Sequence, residues 1–157
     1  MTRWHVLNLP VYVTGSREPC ASVSAVLVDW EARRVAALMV ALNFFGARVI
    51  PLGPEVTIDA DGIRMARRSV IERRPRRWAR RWVEADWHGR EVVDAKGRLL
   101  GHVKDLEFDP KTGNVTALWL SRGILADVWH GMALVDLGDV TVYARRIVMT
   151  HPGQALL

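Results

Sequence analysis

The sequence predicts an all-β protein made of two small units, because its second half repeats its first. Residues 9–40 align without a gap on residues 89–120, at a constant offset of eighty positions. The identities fall on matching strand and turn positions: Val13 with Val93, Val23 with Val103, Asp29 with Asp109, Val35 with Val115, Ala37 with Ala117 and Leu38 with Leu118. Short apolar runs separated by frequent turn residues, with no long helical period, are typical of small β-sheet units.

The second unit shows its strands and turns most clearly. Asp94 begins and Gly97 ends a four-residue turn, which is the arrangement that a tight reversal between two strands favours. In the next reversal Pro110 fixes its own φ, and Gly113 can adopt the positive φ that closes a hairpin. The predicted strands of this unit cover residues 87–93, 99–109, 115–121, 133–135 and 139–143.

The first unit is expected to contain the same elements in a less regular form. Residues 14–17 replace the Asp-x-x-Gly turn, and residues 21–25 replace the Gly-x-Val-x-Asp run of residues 101–105. Its later strands are predicted within residues 49–52 and 56–63. The assignment of the first unit therefore depends mainly on the internal repeat.

One set of segments in the second unit points to a known family. The set comprises Gly89 and residues 92–97, 100–105, 108–115 and 138–142. These segments resemble the PRC-barrel domain, the β-barrel shared by the photosynthetic reaction centre H subunit and the ribosome maturation factor RimM. The resemblance covers nearly all of residues 88–143. It implies two tandem small PRC-type β-barrels in a prokaryotic protein that acts as an assembly or docking module, and the family offers no common catalytic residue.

Charge divides the chain into three parts. Residues 1–66, the predicted first unit, carry six Arg and six acidic residues, and residues 87–157, the predicted second unit, carry eight Lys plus Arg and eight acidic residues. Residues 67–86 carry eight Arg against three acidic residues, so the net charge of +5 lies in this connector. We therefore predict two nearly neutral units joined by a short Arg-rich connector.

The strand predicted over residues 35–42 has no polar residue on either face. A strand with one wet face alternates apolar and polar side chains, so both faces of this strand must be covered. Two interpretations stay open, namely a thick core capped by another part of the chain, or an interface between barrels or between chains. The candidate interface residues on this strand and its counterpart are Val35, Leu38, Met39, Val40, Leu42, Leu118, Trp119 and Leu120.

The connector is predicted to include a short helix. Pro75 suits a first helical turn, and Trp78 and Trp82 then share one face. Arginines flank these tryptophans, and the candidate polyanion-binding residues are Arg73, Arg74, Arg76, Arg77, Arg80 and Arg81. Such a helix can bind nucleic-acid phosphates, an anionic membrane surface or an acidic protein. In the alternative, the two tryptophans fill the seam between the barrels as interface residues while the arginines stay solvated.

No motif in the sequence indicates catalysis or metal binding. The five histidines form no i, i+2 or i, i+4 pair, and neither a nucleophile elbow nor a phosphate-binding glycine loop is present. Asp105, Glu107 and Asp109 lack the pattern of a calcium loop, and Asp105 is expected to accept a backbone hydrogen bond instead. We therefore predict a protein that is not an enzyme and has no catalytic residues, metal or cofactor.

The remaining expectations concern location and partner. Cys20, as a single cysteine, cannot form an internal disulfide, and the longest apolar stretch falls far short of the roughly 18 residues that span a bilayer. With no signal peptide in the sequence, a cytoplasmic protein is expected. We expect a protein partner or self-association, and the alternative is an RNA-associated, ribosome-associated or other polyanion-binding protein that uses the connector.

Overall fold

The computed structural model describes residues 1–42, 47–73, 87–123, 131–143 and 146–150. The chain divides into two compact units. Unit 1 comprises Met1–Glu84 together with Phe108–Asn114, and unit 2 comprises Ala85–Glu107 together with Val115–Leu157. The predicted domain bounds, 1–66, 67–86 and 87–157, stay predictions.

Unit 1 contains one mixed β-sheet. A short helix, α1 (Arg3–Val6), precedes the first strand. The strands are β1 (Pro10–Val13), β2 (Ala21–Asp29), β3 (Arg34–Ala41), β4 (Ala47–Pro51), β5 (Val56–Asp59), β6 (Gly62–Met65) and β7 (Glu72–Arg73). Their order in the sheet is β5-β6-β1-β2-β3-β4-β7, in which β1 and β6 run parallel and the other pairs antiparallel.

Unit 2 contains a second sheet of the same design. Its strands are β8 (Glu91–Asp94), β9 (Leu99–Phe108), β10 (Val115–Ser121), β11 (Ala133–Asp136), β12 (Val140–Tyr143) and β13 (Arg146–Met149). They are ordered β11-β10-β9-β8-β13-β12, and β8 runs parallel to β13. The first six strands of unit 1 and the six strands of unit 2 therefore have the same order in their sheets, with the parallel pair at the same place. This confirms the all-β class and shows the internal repeat in the strand order.

Neither sheet is closed by a strand pair among the described residues. The described strands at the two ends of the first sheet are β5 and β7, and those of the second are β11 and β12. Closure of each sheet into a PRC-type barrel stays a prediction. The described part of the connector, residues 67–73, contains a 3-10 turn at Arg68–Val70 and then β7, which pairs with β4. The predicted helix around Trp78 and Trp82 lies outside the described residues.

The turn before the first strand of each unit shows how closely the repeat is kept. Asn8 has a φ of 67° and Gly89 a φ of 79°, and each is the third residue of a tight turn. The Asn8 N–H donates to the carbonyl of Val23 at 2.9 Å, and the Gly89 N–H donates to that of Val103 at 2.7 Å. Asparagine is one of the few residues other than glycine that tolerate this left-handed conformation, so both sequences support the same turn.

The first strand departs from the constant offset by one residue. Val13 pairs with Met65, while Asp94 pairs with Met149 at the corresponding position. The predicted equivalence of Val13 with Val93 is therefore wrong. The physical reason is the turn after this strand, which contains one residue fewer in unit 2, so the offset of eighty residues is restored only in β2 and β9.

The two aspartate turns of the second half are confirmed. The carboxylate of Asp94 accepts from the backbone N–H of Lys96 at 2.9 Å and of Arg98 at 2.8 Å. The carboxylate of Asp109 accepts from the Lys111 N–H and the Thr112 hydroxyl, both at 2.9 Å. Hydrogen bonds to the ionised form favour that form, so the bonds from Arg98 and Lys111 hold the pKa of Asp94 and Asp109 below the usual value.

Each unit has a core on one face of its sheet. In unit 1 Leu38 lies between Val26 and Ile50, and all three side chains are fully buried. In unit 2 Leu118 pairs with Val135 at the corresponding position, and both are buried. The apolar positions that align in the two halves therefore supply the two cores.

Candidate protein-docking surface

The predicted interface residues fall into two groups. Five of them are buried in the cores or sheets of their own units: Val35, Leu38, Val40, Leu118 and Leu120. Met39, Leu42 and Trp119 are partly exposed. The assignment of these eight residues to an interface stays a prediction.

Among the predicted polyanion-binding residues, Arg73 lies within the described residues. Arg73 is exposed at the end of β7, opposite Arg48. The other candidates lie outside the described residues: Arg74, Arg76, Arg77, Arg80 and Arg81, together with Trp78 and Trp82. A polyanion site in the connector therefore stays a prediction.

The second face of the first sheet is apolar and covered. We call it the Met39 face and define it by Ala25, Leu27, Ala37, Met39, Val49 and Pro51, which are linked by cross-strand pairs. Leu27, Ala37 and Val49 are fully buried and pack with the partly buried Met39. The strand with no polar residue thus has both faces covered, as its sequence predicts.

The same face of the second sheet is different. We call it the Trp119 face and define it by Asp105, Glu107, Ala117, Trp119, Leu134 and Asp136. Trp119 pairs with Leu134 and Ala117 with Asp136, at the positions that Met39, Val49, Ala37 and Pro51 occupy in unit 1. Ala117 is buried, whereas the other five residues of the face are partly or fully exposed. A partly exposed surface in which half of the residues are acidic therefore replaces an apolar one.

Glu107 holds the central aromatic residue of the Trp119 face. The Trp119 indole Nε1 donates to the Glu107 Oε1 at 3.1 Å. Leu27 occupies the equivalent position in unit 1, where no such bond is possible. The hydrogen bond fixes the indole plane and satisfies its single donor, while part of the ring remains open to solvent.

Two aspartates extend the negative charge of the Trp119 face. The Asp105 Oδ1 accepts from the Leu106 N–H at 2.8 Å, which confirms its predicted backbone bond. Asp136 is exposed at the end of β11, where its Oδ1 accepts from the Gly138 N–H at 2.7 Å. Together with Glu107 these residues place three carboxylates around one tryptophan, an arrangement suited to arginine or lysine side chains.

The other features of the described residues are weaker candidates for a functional site than the Trp119 face. One cavity of unit 2, of about 490 Å³, is lined by residues that include Asp94, Arg98 and Met149. The Asp94 carboxylate in this cavity is engaged by the backbone of its turn and by Arg98 Nε at 3.1 Å. No cluster of three His, Cys, Asp or Glu suited to a metal occurs within the described ranges. In that same part of the chain, no helix has the length and apolar character needed to cross a membrane.

Trp119 was predicted from the sequence as an interface residue, but the residues around it on this face were not. The repeat does contain a sign of this difference between the faces. In the alignment Glu107 takes the place of Leu27, and Asp105 takes the place of Ala25. A charged residue replaces an apolar one at the same sheet position twice, which indicates a change from a covered to a wetted face. Leu134 and Asp136 could not be found in this way, since they lie beyond the segment that aligns without a gap.

Comparison with known proteins agrees with the resemblance seen in the sequence. Residues 85–155 match the family model of the PRC-barrel domain. No curated protein matches this chain. The matched residues include all six strands of the second sheet. The second unit of this chain, over residues 85–155, belongs to the PRC-barrel domain family.

Proposed function

We propose that unit 2 is a non-catalytic docking module that binds a basic segment of a protein partner on the Trp119 face. The observation that carries the proposal is the contrast between equivalent positions in the repeat. Leu27 is fully buried in unit 1, whereas Glu107 is partly exposed and holds Trp119 in place. The same strand order thus supports a covered face in one unit and a wettable face with a fixed aromatic residue in the other.

The chemistry of the Trp119 face favours a basic protein segment. Tryptophan is enriched among the residues that dominate binding energy, and its ring attracts cations. Glu107 and Asp136 supply negative charge beside it. An arginine on the partner could stack on the indole and bond to a carboxylate at the same time. Nucleic acid is disfavoured on this face, because its phosphates would meet carboxylates.

Affinity capture with matched charge variants tests the proposal. Glu107→Lys reverses a charge on the Trp119 face, and Glu91→Lys makes the same change at an exposed position on β8. We expect specific proteins to be retained by the wild type and by Glu91→Lys, and to be lost with Glu107→Lys. Equal retention by all three baits would contradict a docking role for this face.

A second candidate function rests on the charge of the connector. Residues 67–86 carry the whole net charge of +5, which supports binding of RNA or another polyanion. Replacing Arg76, Arg77, Arg80 and Arg81 by Gln should then abolish retention on heparin or RNA, whereas Glu107→Lys should not. Nuclease treatment of the captured material separates the two functions, because only the polyanion function predicts loss of the bound proteins with the RNA.

A further inference from the structure

The repeat shows how an added strand can extend one edge of these sheets. In unit 1, β7 pairs antiparallel with β4, with Glu72 opposite Val49 and Arg73 opposite Arg48. In unit 2, β11 is the counterpart of β4, because Leu118 pairs with Val135 as Leu38 pairs with Ile50. No described strand pairs with the outer edge of β11. Unit 1 therefore fills a position that the described part of unit 2 leaves vacant.

The directions of the backbone groups at this edge can be assigned from unit 1. The N–H of Leu52 donates to the carbonyl of Ala36 at 2.9 Å, so Leu52 points its backbone groups toward β3. Successive residues of an antiparallel strand alternate in this direction, so Val49 and Pro51 point theirs away from β3. Their counterparts in unit 2 are Leu134 and Asp136. These two residues therefore present an N–H and a C=O to an incoming strand.

We propose that the outer edge of β11 binds an extended basic segment of a partner protein as an additional antiparallel strand. This inference rests on the proposed docking function and specifies how the partner binds. Main-chain bonds from Leu134 and Asp136 would supply affinity, as in other complexes formed by strand addition. By the register of β7, the partner residues opposite Leu134 and Asp136 lie on the Trp119 face.

Charge complementarity determines the chemical class of the partner. Asp136 is exposed, and a side chain directly opposite it on an added strand lies within pairing distance. Glu107 lies on the same face and holds Trp119. A lysine or arginine opposite Asp136 therefore gains a carboxylate and an aromatic ring, whereas an acidic residue would be repelled. Alternating apolar and basic residues form the segment that fits best.

The test uses the full chain and a synthetic peptide of alternating arginine and valine. Leu134→Pro removes the outward N–H but no bond to β10, and Leu134→Ala removes the same side chain while it keeps the N–H. Proline is tolerated at outward-facing edge positions, and Pro51 occupies the equivalent of Asp136 in unit 1. We expect Leu134→Pro to bind the peptide about tenfold more weakly than Leu134→Ala, because the proline variant loses one backbone hydrogen bond to the peptide. A peptide with glutamate in place of arginine should bind at least about tenfold more weakly to the wild type.

Amide hydrogen exchange of the unaltered protein gives a second readout that does not depend on how variants fold. The amides of Leu134 and Asp136 should exchange more slowly when the arginine peptide is bound. If the two Leu134 variants bind equally and exchange is unchanged, strand addition is wrong, although a contact through the Trp119 face can still stand. If the peptide does not bind the wild type, the inference is also overturned, and the capture experiment with Glu107→Lys decides the docking function separately. Binding only after removal of residues 151–157 would assign the edge to the chain itself and overturn a partner strand.

Discussion

The Trp119 indole Nε1 donates to Glu107 Oε1 at 3.1 Å across two neighbouring strands of unit 2. The equivalent pair in unit 1 is Met39 and Leu27, which pack together in an apolar cluster. The hydrogen bond keeps the indole in one orientation, so a partner would not have to order this side chain on binding. The relationship thus links a substitution within the repeat to a surface prepared for contact.

A reciprocal substitution tests the different exposure of the two faces. Leu27→Glu should lower the free energy of unfolding by about 3 kcal/mol or more, because it places a charge in an apolar cluster. Glu107→Leu should change it by no more than about 1 kcal/mol, because the side chain is partly exposed and loses one hydrogen bond. Urea denaturation of both variants provides the measurement. Similar costs at the two positions would show that the faces do not differ.

Substitution of two glycines with the same backbone conformation distinguishes the cost of backbone strain from the cost of a steric clash. Gly113 and Gly89 have φ values of 77° and 79°. A Cβ at Gly113 would lie 2.8 Å from the carbonyl oxygen of Val35, whereas one at Gly89 would have no neighbour within 4 Å. Gly89→Ala should cost about 1 to 2 kcal/mol from φ alone, and Gly113→Ala about 3 kcal/mol or more. Equal losses of stability for the two variants in thermal or urea unfolding would contradict the predicted steric contact at Gly113.

Arg33 occupies the position of Gly113 in the repeat and has a φ of 50°. A residue with a Cβ is disfavoured in this conformation, so Arg33→Gly relieves strain even though glycine makes the unfolded chain more flexible. We expect a net gain of about 0.5 to 1 kcal/mol in urea unfolding. The matched control is Arg17→Gly at an exposed residue of unit 1, which should not stabilise the protein. A loss of stability in Arg33→Gly would contradict the prediction that the backbone is strained at this residue.

The aspartate turns predict acid sensitivity. Backbone hydrogen bonds from Arg98 and Lys111 hold the pKa of Asp94 and Asp109 below the ordinary value of 3.8. A lowered pKa in the folded state adds stability above the unfolded pKa, and this stability is lost as the pH falls through the folded value. Asp94→Asn and Asp109→Asn should therefore lose less stability than the wild type on acidification.

Thermal unfolding followed from neutral pH to below the ordinary aspartate pKa measures this effect. Asp61→Asn removes the same charge at an exposed turn residue of unit 1 and serves as the control for the charge change alone. An unchanged acid dependence in the Asp94 and Asp109 variants would mean that the two carboxylates do not contribute to the loss.

The sequence predicts much of this fold because its side chains signal their surroundings. The apolar strand indicated two covered faces, and the aspartate and glycine residues marked the turns. The one-residue shift at Val13 escaped prediction because an apolar strand aligns almost equally well in either register. Strand β7 also escaped, since Glu72 and Arg73 look like part of a charged connector and their pairing uses the main chain. The Trp119 face required the pairing of Trp119 with Leu134, a contact that no local pattern reveals.

Site-specific photo-crosslinking in native extract tests the docking function most directly. A p-benzoylphenylalanine at position 119 places the reactive group on the Trp119 face, and the same residue at Thr57, exposed on β5, is the control. We predict a protein adduct at position 119 that resists nuclease, is weakened by Glu107→Lys and does not form at position 57. The absence of an adduct at position 119, or the same adducts at both positions, would contradict the account.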